Sequence, residues 1–409
     1  MDLDSTTLSP AVKALMYSQM TMGERVPLAC PQQAYVDIIE HDDGVLCPMD
    51  GVVFTFKREL TDFVLRHHEL FSSAVDMPLG NIRPLIPLNV DPPKHSLYRR
   101  ILDPLFAPKR MEALEHDVAG RANRFIDAFI DRGACNFSEE FAELFPSAVF
   151  LGLMGLPWDE LDTMLDLRNG VLHAGTIDPR AADDPMARLA VVNATGARIY
   201  AFFDEKLDER QSAPTSDILS HFLTTEVDGE KMTREEILDL CYLFLIAGLD
   251  TVSDSLTCMF AYLATHAEHR DQLVADPAII PDAVEEMLRW ESPVPWGVPR
   301  IARQDVELPD GTFVAEGTAV RVSYGAANVD PDEFGDSTEV RFDREGNRHI
   351  AFGGGVHRCL GSHLARRELR IALAEWHRRI PAYRLTPGHE ELQYPPGLRH
   401  VSNLMLSWD

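Results

Sequence analysis

The chain has few basic residues and no long apolar run. Its 409 residues include 38 Lys and Arg against 65 Asp and Glu, which gives a formal net charge of −27. This charge argues against nucleic acid as a partner, because phosphate contacts need clustered cations, and against adhesion to anionic membranes. No run of 18 apolar residues occurs, so we expect no membrane insertion.

Cysteine is also scarce. The six cysteines are irregularly spaced and include no C-x-x-C pair, which disfavours a zinc ribbon, an iron–sulfur centre and a c-type haem attachment. The opening residues carry acids where a secretory signal would carry bases. We therefore expect a cytoplasmic protein whose thiols are reduced and mostly buried.

Helical periodicity dominates the chain from about residue 108 to 290. Strand-like alternation is limited to about 45–60 and 300–325, where Asp310–Gly311 predicts a hairpin turn. We find no internal repeat, no low-complexity tract and no Pro/Ser-rich linker. The pattern predicts a single domain over 1–409, mainly α with small β-sheets.

One predicted helix stands out because it is apolar on nearly all sides. Thr233 and Glu236 form a capping box at its start, and the helical pattern then continues for about thirty residues. A helix that is apolar all round is buried, so we expect it at the centre of the fold.

The middle of this central helix contains Gly248, Asp250 and Thr251. Glycine costs roughly 1 kcal/mol against alanine in a helix, a buried acid needs a partner or a raised pKa, and Thr251 can bond back to the carbonyl of Ala247. Each residue alone is compatible with a helix crossing and a satisfied threonine. All three within four residues favour an open space beside a proton relay.

The stretch FGGGVHRCLG, residues 352–361, places Cys359 just before a helical pattern. Unpaired N–H groups at a helix start favour the thiolate, and the glycines let the backbone approach a flat group closely. A nucleophile needs an oriented base, and His357 is not obviously aimed at the sulfur. Zinc needs three or four ligands, whereas an axial haem thiolate needs one. Residue chemistry favours haem and leaves a nucleophile or an inert thiol open.

Two spaced pairs of polar residues add context. Glu286 and Arg289 stand three apart on one helix face, and His95 and Arg99 stand four apart after two prolines. Alone, the first pair is typical of surface helices and the second of a solvated basic face.

Taken together, these motifs resemble the cytochrome P450 family, specifically its soluble bacterial members. AGLDT, residues 247–251, resembles the family's oxygen-activation motif, Glu286-x-x-Arg289 its E-x-x-R motif, and residues 352–361 its haem loop position by position. The resemblance covers nearly the whole chain in motif order. It implies the cytochrome P450 fold, with the long central helix over haem b, and the activity of a haem-thiolate monooxygenase.

The resemblance also implies roles for individual residues. Cys359 would be the iron ligand, Asp250 and Thr251 would deliver protons to bound dioxygen, and Ala247 and Gly248 would leave room above the ring. The implied cofactor-binding set is His95, Arg99, Ala247, Gly248, Arg300, Phe352, His357, Cys359 and Gly361. Glu286 and Arg289 would pair with an arginine, Arg344 by spacing and Arg341 as second choice, in folding and haem retention.

For the substrate, the resemblance points to apolar segments that suit a lipophilic small molecule such as a terpenoid, steroid, fatty acid or aromatic. The implied pocket residues are Ile82, Leu85, Ile86, Phe244, Ala247, Val294 and Trp296. Arg83 could bind a carboxylate or face solvent.

For the electron supply, the resemblance implies a ferredoxin with its reductase, fed by NAD(P)H. Arg358, Arg366, Arg367 and Arg370 predict a basic docking patch, although an ordinary solvated helix face has the same composition. No reductase domain is expected to follow within the sequence. Two alternatives are a peroxide-driven or isomerising haem-thiolate enzyme, which the intact Asp250–Thr251 pair disfavours, and a non-enzymatic haem ligand binder.

Overall fold

The computed structural model describes residues 30–41, 43–227, 229–395 and 398–409. The helices are α1 (Gln32–His41), α2 (Arg58–Arg66), α3 (Lys94–Leu102), α4 (Pro108–Glu112), α5 (Glu115–Phe129), α6 (Leu144–Met154), α7 (Leu161–Leu172), α8 (Ala174–Ile177), α9 (Pro185–Ser212), α10 (Ile218–Thr224), α11 (Arg234–Gly248), α12 (Asp250–Thr265), α13 (Ala267–Ala275), α14 (Ile280–Glu291), α15 (Tyr324–Ala327) and α16 (Ser362–Arg379). The strands are β1 (Val45–Met49), β2 (Val52–Thr55), β3 (Phe71–Ser72), β4 (Ala134–Asn136), β5 (Glu226–Val227), β6 (Glu230–Lys231), β7 (Arg300–Ala302), β8 (Val306–Glu307), β9 (Phe313–Val314), β10 (Ala319–Val322), β11 (Arg384–Leu385) and β12 (Met405–Ser407). The predicted class, mainly α with small sheets, is confirmed.

The chain divides into two compact units. Unit 1 comprises Met1–Ser73, Glu115–Ala142 and Thr251–Asp409, and unit 2 comprises Ala74–Leu114 and Glu143–Asp250. Helix α12 therefore begins in unit 2 with Asp250 and continues in unit 1 from Thr251. None of the helices in the described ranges combines the length and apolar character that crossing a bilayer requires.

Unit 1 contains a five-stranded sheet in the order β1-β2-β10-β7-β3. Strands β2 and β10 pair in parallel, with Val52 opposite Ala319, and the other neighbours are antiparallel. Alternate residues of the sheet pack against α2, so that Val53, Val320 and Leu60 are buried in one apolar cluster. A second sheet has the order β11-β12-β4. The predicted hairpin is confirmed as β8–β9, with Gly311 left-handed at φ +86°.

Unit 2 is helical apart from the β5–β6 hairpin. Its longest helix, α9, has 28 residues and is capped by the Asp184 side chain, which accepts a bond from the Met186 N–H. Helix α6 ends at Gly155 in the left-handed conformation, φ +70°. The capping box at the start of α11 is present: Thr233 accepts from the Glu236 N–H, and Glu236 accepts from the Thr233 N–H.

The central helix is not continuous as predicted, because α11 ends at Gly248 and α12 starts at Asp250. Leu249, between them, keeps a right-handed conformation at φ −91° and ψ −54°. Glycine has a low helix propensity, and polar contacts hold the Asp250 side chain. The interruption therefore falls within residues 248–251, where the sequence places a glycine, an acid and an alcohol in an otherwise apolar helix.

Candidate functional site

Residues 352–361, the Cys loop, lie in unit 1 and position Cys359 shortly before α16. The Cys359 N–H donates to the Phe352 carbonyl at 2.9 Å, which closes the loop on itself. All six cysteines are among the described residues and none forms a disulfide. Cys30, Cys47 and Cys359 are exposed, so the expectation that the thiols other than Cys359 are buried is wrong for Cys30 and Cys47. The loop thus presents a thiol to its surroundings from the start of a helix.

Two of the four glycines in the loop are required by its geometry. Gly353 and Gly355 are left-handed, at φ +66° and +62°. A Cβ added at Gly355 would stand 2.0 Å from the carbonyl oxygen of Leu65 at the end of α2. The sequence predicts that these glycines let the backbone approach a flat group. The close approach that the structure shows at Gly355 is to the backbone of α2, on which the loop packs.

Tyr324 lies beside the Cys loop in unit 1, and the sequence did not indicate this. Its hydroxyl lies where a Cβ at Gly297 or Gly353 would collide with it, at 2.5 and 3.0 Å. Burial raises its pKa, while Arg300 lowers it and Cys359 raises it, so Tyr324 lies within electrostatic range of both. Arg300 is 4% exposed and donates to the Val298 carbonyl at 2.7 Å.

Glu286, Arg289 and Arg344 form a buried ion-pair network in unit 1, which we call the Glu286 network. Arg289 donates from Nε and Nη2 to the two carboxylate oxygens of Glu286, each at 2.8 Å, and Arg344 Nε lies 3.0 Å from both. Arg341 contributes its backbone N–H at 2.9 Å, and not its side chain. The spacing argument therefore placed Arg344 and Arg341 in the right order.

The Glu286 network also holds the backbone of the turn-rich segment after β10. Arg289 donates to the carbonyls of Asn328, Ser337 and Glu339 at 2.7–2.8 Å. Arg344 donates to the carbonyls of Gly335, Asp336 and Glu339. Because both guanidinium groups satisfy backbone carbonyls as well as the carboxylate, the network fixes the path of the chain that leads into the Cys loop.

The four arginines of the predicted docking patch are mostly ion-paired. Glu285 accepts from Arg366 at 2.8 Å and from Arg370 at 3.1 Å, and Arg367 pairs with Glu115. Arg366 also lies over the Phe352 ring, 4.4 Å from its centroid. Arg358 is exposed. The two glutamates leave the patch with a net positive charge that is smaller than the charge of the four arginines alone.

Glu285 makes this cluster sensitive to acid. Burial opposes its ionisation, but hydrogen bonds from His349 and Arg366 outweigh burial and lower its pKa to about 2. Burial lowers the pKa of His349 below its usual value, so a neutral imidazole donates to Glu285 at neutral pH. The positive charges that pair with Glu285 at neutral pH therefore come from Arg366 and Arg370.

We expect Glu285→Gln to destabilise the protein by about 2 kcal/mol at neutral pH, with the difference from wild type shrinking in acid. A carboxyl whose pKa falls on folding stabilises above its unfolded pKa, and this stabilisation is lost as the pH falls from about 4.5 towards 2. The urea midpoints of wild type and Glu285→Gln at pH 7, 5 and 3 measure this difference in stability. A difference that stays constant over this range would contradict the prediction.

In unit 2, Asp250 has two partners that the sequence did not indicate. Its side chain is 6% exposed, and its oxygens lie 3.2 Å from Arg168 Nε and 2.7 Å from His173 Nε2. Arg168 is held in turn by Asn169 at 2.7 Å and Glu143 at 3.2 Å. The partner predicted for a buried acid exists, but it comes from a segment 77 residues away in the chain.

Ala247 and Gly248 are exposed at the end of α11, after a run in which most residues are buried. A Cβ added at Gly248 would approach only Phe150, at 3.7 Å, which is ordinary contact. A helix crossing therefore does not explain the glycine. Phe244, one turn earlier, packs edge-to-face on Phe106 with centroids 5.5 Å apart.

His95 and Arg99 share one face of α3 as predicted from their spacing. His95 is 2% exposed, and its N–H donates to the Asp91 carbonyl at 3.1 Å. Arg99 is paired with Asp103 at 2.7 Å, one turn further along the helix. Its positive charge is thus partly balanced within the protein.

Several residues predicted to line a substrate pocket have other surroundings. Trp296 stands between Phe54 and Phe56, 5.3 and 5.6 Å from their centroids, in an apolar core cluster of unit 1. Ile82 is 71% exposed, and Leu85 has no exposed surface. Ile86 is buried, and Val294 is half-buried. Trp296 follows a Pro-rich stretch that resembles a pocket wall in sequence, but its rings complete the core.

Arg83 neither faces solvent alone nor remains available for a substrate carboxylate. It donates to Asp239 of α11 at 2.8 Å, and Asp239 also accepts from the Tyr200 hydroxyl of α9 at 2.9 Å. Nearby, Tyr242 donates to the Leu79 carbonyl at 2.5 Å. These contacts, which we call the Arg83 clamp, fasten residues 79–83 to α9 and α11.

Glycines at 80 and 196 allow this close packing. Gly80 is left-handed at φ +81°, and a Cβ there would stand 2.4 Å from the Val192 carbonyl oxygen. A Cβ at Gly196 would stand 2.2 Å from the Gly80 carbonyl oxygen. Backbone therefore meets backbone where this loop rests on α9.

In unit 1, Cys359 and Arg300 fit haem. Cys359 is an exposed thiol that can act as a single axial ligand, and Arg300 is a buried cation that can balance an acidic edge of the ring. In unit 2, Ala247 and Gly248 are small and exposed. Within the described ranges, no group of three or more His, Cys, Asp and Glu is arranged to hold a metal ion.

Comparison with known proteins identifies the family. The cytochrome P450 family model matches residues 188–379. A probable cytochrome P450 127A1 of Sinorhizobium fredii is 36% identical over 351 residues, 86% of this chain and 80% of that protein. A steroid C26-monooxygenase of Mycolicibacterium smegmatis is 34% identical over 78% of each chain. The crystal structure of CYP109E1 from Bacillus megaterium in complex with testosterone superposes with a TM-score of 0.82 at 26% identity and covers 93% of this chain and 99% of that one. The chain belongs to the cytochrome P450 family, and the relative from Mycolicibacterium smegmatis is named as a monooxygenase.

Proposed function

We propose that the protein hydroxylates a lipophilic small molecule, using dioxygen and two electrons delivered by a ferredoxin. The observation that carries the proposal is the exposed Cys359 thiol, held by the Cys loop at the start of α16. When bound through this thiolate, haem b would supply the redox centre at which dioxygen is reduced and one oxygen atom enters a C–H bond. The other oxygen atom leaves as water, so each turnover consumes two electrons and two protons.

The chain's own residues would hold haem and manage these protons. We assign Cys359 to the iron and His95, Arg99, Arg300 and His357 to the propionates, since each can donate to a carboxylate. Asp250 and Thr251 would pass protons, and Ala247 and Gly248 would leave space for substrate. The Glu286 network would keep the fold able to retain haem.

The substrate proposal rests on apolar surroundings and on relatives. Phe244 and Phe106 pack together one turn from the exposed Ala247 and Gly248. One relative is a steroid C26-monooxygenase and one solved structure contains testosterone. Among terpenoids, steroids, fatty acids and aromatics, we therefore place steroids first.

An optical titration of the ferric protein tests this proposal. Testosterone, a monoterpene, palmitate and a small aromatic are added separately, and a blue shift of the Soret band reports displacement of the iron-bound water. We expect the steroid to produce the largest shift. A protein that binds no haem would disprove the whole proposal, and a normal spectrum that none of the four shifts would disprove the substrate class alone.

We expect charge reversal at the docking patch to weaken the use of a ferredoxin. Arg358→Glu should raise the KM for a plant-type ferredoxin about tenfold at low salt, with the effect fading as salt screens the patch. Arg384→Glu is the matched control, because Arg384 is an exposed arginine of the same unit. An equal KM for both variants would contradict docking at the patch.

Thr251→Ala should uncouple electron use from product formation. Without the hydroxyl, proton delivery is impaired, and we expect product per NAD(P)H to fall about tenfold while peroxide rises. Thr265→Ala, at the far end of α12, is the control, since its hydroxyl bonds the Ala261 carbonyl. Full coupling in Thr251→Ala would remove this residue from the proton path.

A further inference from the structure

We propose that His173 is the residue through which protons from solvent reach Asp250. The inference rests on the proposed function, because it assigns a role to a residue that supports the Asp250–Thr251 pair. Its basis is a single contact, in which His173 Nε2 and Asp250 Oδ2 lie 2.7 Å apart. This is a short, strong hydrogen-bond distance between an imidazole, whose ring nitrogens can donate and accept a proton, and a buried carboxylate.

The His173 side chain is more exposed to solvent than that of Arg168, which also contacts Asp250. The His173 side chain is 38% exposed, whereas Asp250 is 6% and Arg168 is 3% exposed. An arginine keeps its proton at neutral pH and cannot pass one on. Of these two residues, His173 is the one that both reaches water and has ring nitrogens able to accept and donate a proton.

Local structure fixes the imidazole at this position. His173 ends α7, where its N–H donates to the Asn169 carbonyl at 2.8 Å. Its own carbonyl accepts from the Thr176 N–H at 2.8 Å and from the Thr176 hydroxyl at 2.8 Å. The backbone is thus held on both sides, and the ring stays within reach of Asp250.

The surrounding charges are largely committed to one another. On the elements packed around His173, Arg168 bonds Asp250 and Glu143, Asp166 pairs with Arg198, and Asp178 pairs with Arg180. Asp162 of α7 and Arg188 of α9 are further charges on these elements. Asp250 is therefore the charged group in hydrogen-bond contact with the ring.

The transfer is balanced. The His173 imidazolium gives its Nε2 proton to Asp250 Oδ2, which leaves a neutral imidazole and a carboxylic acid. The imidazole then takes a proton from solvent, and the acid releases its proton towards the reaction, so one proton enters for each one consumed. Arg168 holds the other carboxylate oxygen and keeps Asp250 in place during the exchange.

The first test measures the pair without turnover. In the CO-bound ferrous holoenzyme, which is diamagnetic, histidines labelled with carbon-13 at Cε1 are titrated by NMR, and the His173 signal is assigned by its loss in His173→Gln. Because the ring and the carboxylate share a hydrogen bond, Asp250→Asn should move the His173 Cε1 signal and change its dependence on pH. An unchanged His173 titration in Asp250→Asn would overturn the proposal.

The second test follows proton-dependent chemistry without ferredoxin or substrate. Dithionite-reduced enzyme is mixed with oxygenated buffer, and its return to the ferric state is timed from pH 5.5 to 8.5 in H2O and D2O. We expect the wild-type rate to rise through an inflection as the pH falls, because the supply of protons to Asp250 through His173 increases. His173→Gln keeps a donor to Asp250 but cannot titrate, so it should lose this inflection and be about tenfold slower at pH 6.

Controls separate a structural role from a proton-transfer role. His389→Gln, an exposed histidine of unit 1, should match wild type in rate and isotope effect. If His173→Gln loses haem, His173→Asn is measured in its place, and loss of haem in both variants would overturn the proposal by making His173 structural. An unchanged pH profile in His173→Gln would also overturn it. Failure of ferredoxin to reduce the enzyme would disprove the electron donor and leave these two measurements unaffected.

Discussion

Replacing Glu286 with glutamine is expected to yield a chain that is largely without haem and is less stable by about 3–5 kcal/mol. Glu286 is 1% exposed and balances two guanidinium groups, of which Arg289 is fully buried. Removing the carboxylate leaves two buried cations without a counter-charge. Since a domain is stable by only about 5–15 kcal/mol in total, this loss is a large fraction.

The measurement is the haem-to-protein absorbance ratio after purification, together with the urea midpoint. Glu285→Gln is the matched control, because it makes the same change one residue earlier, at a side chain that is 21% exposed. We expect it to retain haem at neutral pH. Equal haem content in the two variants would show that the Glu286 network is not needed to retain the cofactor.

A triple replacement distinguishes charge balance from chain closure. Replacing a buried ion pair with apolar residues is often neutral. Here Glu286→Leu with Arg289→Met and Arg344→Met removes the carboxylate and both of its guanidinium partners. It should remain as unstable as Glu286→Gln, because the carbonyls of Asn328, Ser337 and Glu339 would lose their donors. Recovery of wild-type stability in the triple variant would mean that charge balance alone matters.

Cys359→Ser is expected to remove monooxygenase activity by about a thousandfold or more, equivalent to about 4 kcal/mol of transition-state stabilisation, while the fold remains. Serine preserves the N–H that donates to Phe352 and the size of the side chain. It lacks the thiolate, whose electron donation to iron favours cleavage of dioxygen. The CO complex of the reduced variant should lose the red-shifted band that thiolate ligation produces.

Two other exposed cysteines provide the controls. Cys30→Ser and Cys47→Ser make the same chemical change at exposed thiols outside the Cys loop, and both should keep the spectrum and the activity. A thiolate-type CO band in Cys359→Ser would reassign the iron ligand. The urea midpoint of Cys359→Ser, measured on the haem-free proteins, should lie close to that of wild type.

Features set by neighbouring residues were predictable. The capping box of α11, the hairpin at Gly311 and the left-handed Gly133 that closes the turn after α5 follow from local backbone chemistry. The pairing of Glu286 with Arg289 follows from helix spacing. Each depends on residues a few positions apart, where periodicity carries information.

Contacts between distant segments were not predictable from periodicity. Arg366 pairs with Glu285, 81 positions away in the chain, and Arg367 pairs with Glu115, 252 positions away. The docking patch predicted from the arginines alone is therefore more positive than the patch in the structure. His173 and Asp250 meet across 77 positions. The contacts of Trp296 with Phe54 and Phe56 are of the same kind, since nothing in the segment around Trp296 indicates that these rings flank it.

The Arg83 clamp determines where a search for altered substrate range should begin. In a library that randomises residues 79–83, the members with any residue other than glycine at position 80 should fold poorly. A Cβ at this position would collide with the Val192 carbonyl oxygen. Changes at the exposed Ile82 should be well tolerated. Libraries that vary Ile82 and keep Gly80, Arg83 and Gly196 should therefore retain more folded members than libraries that vary the whole loop.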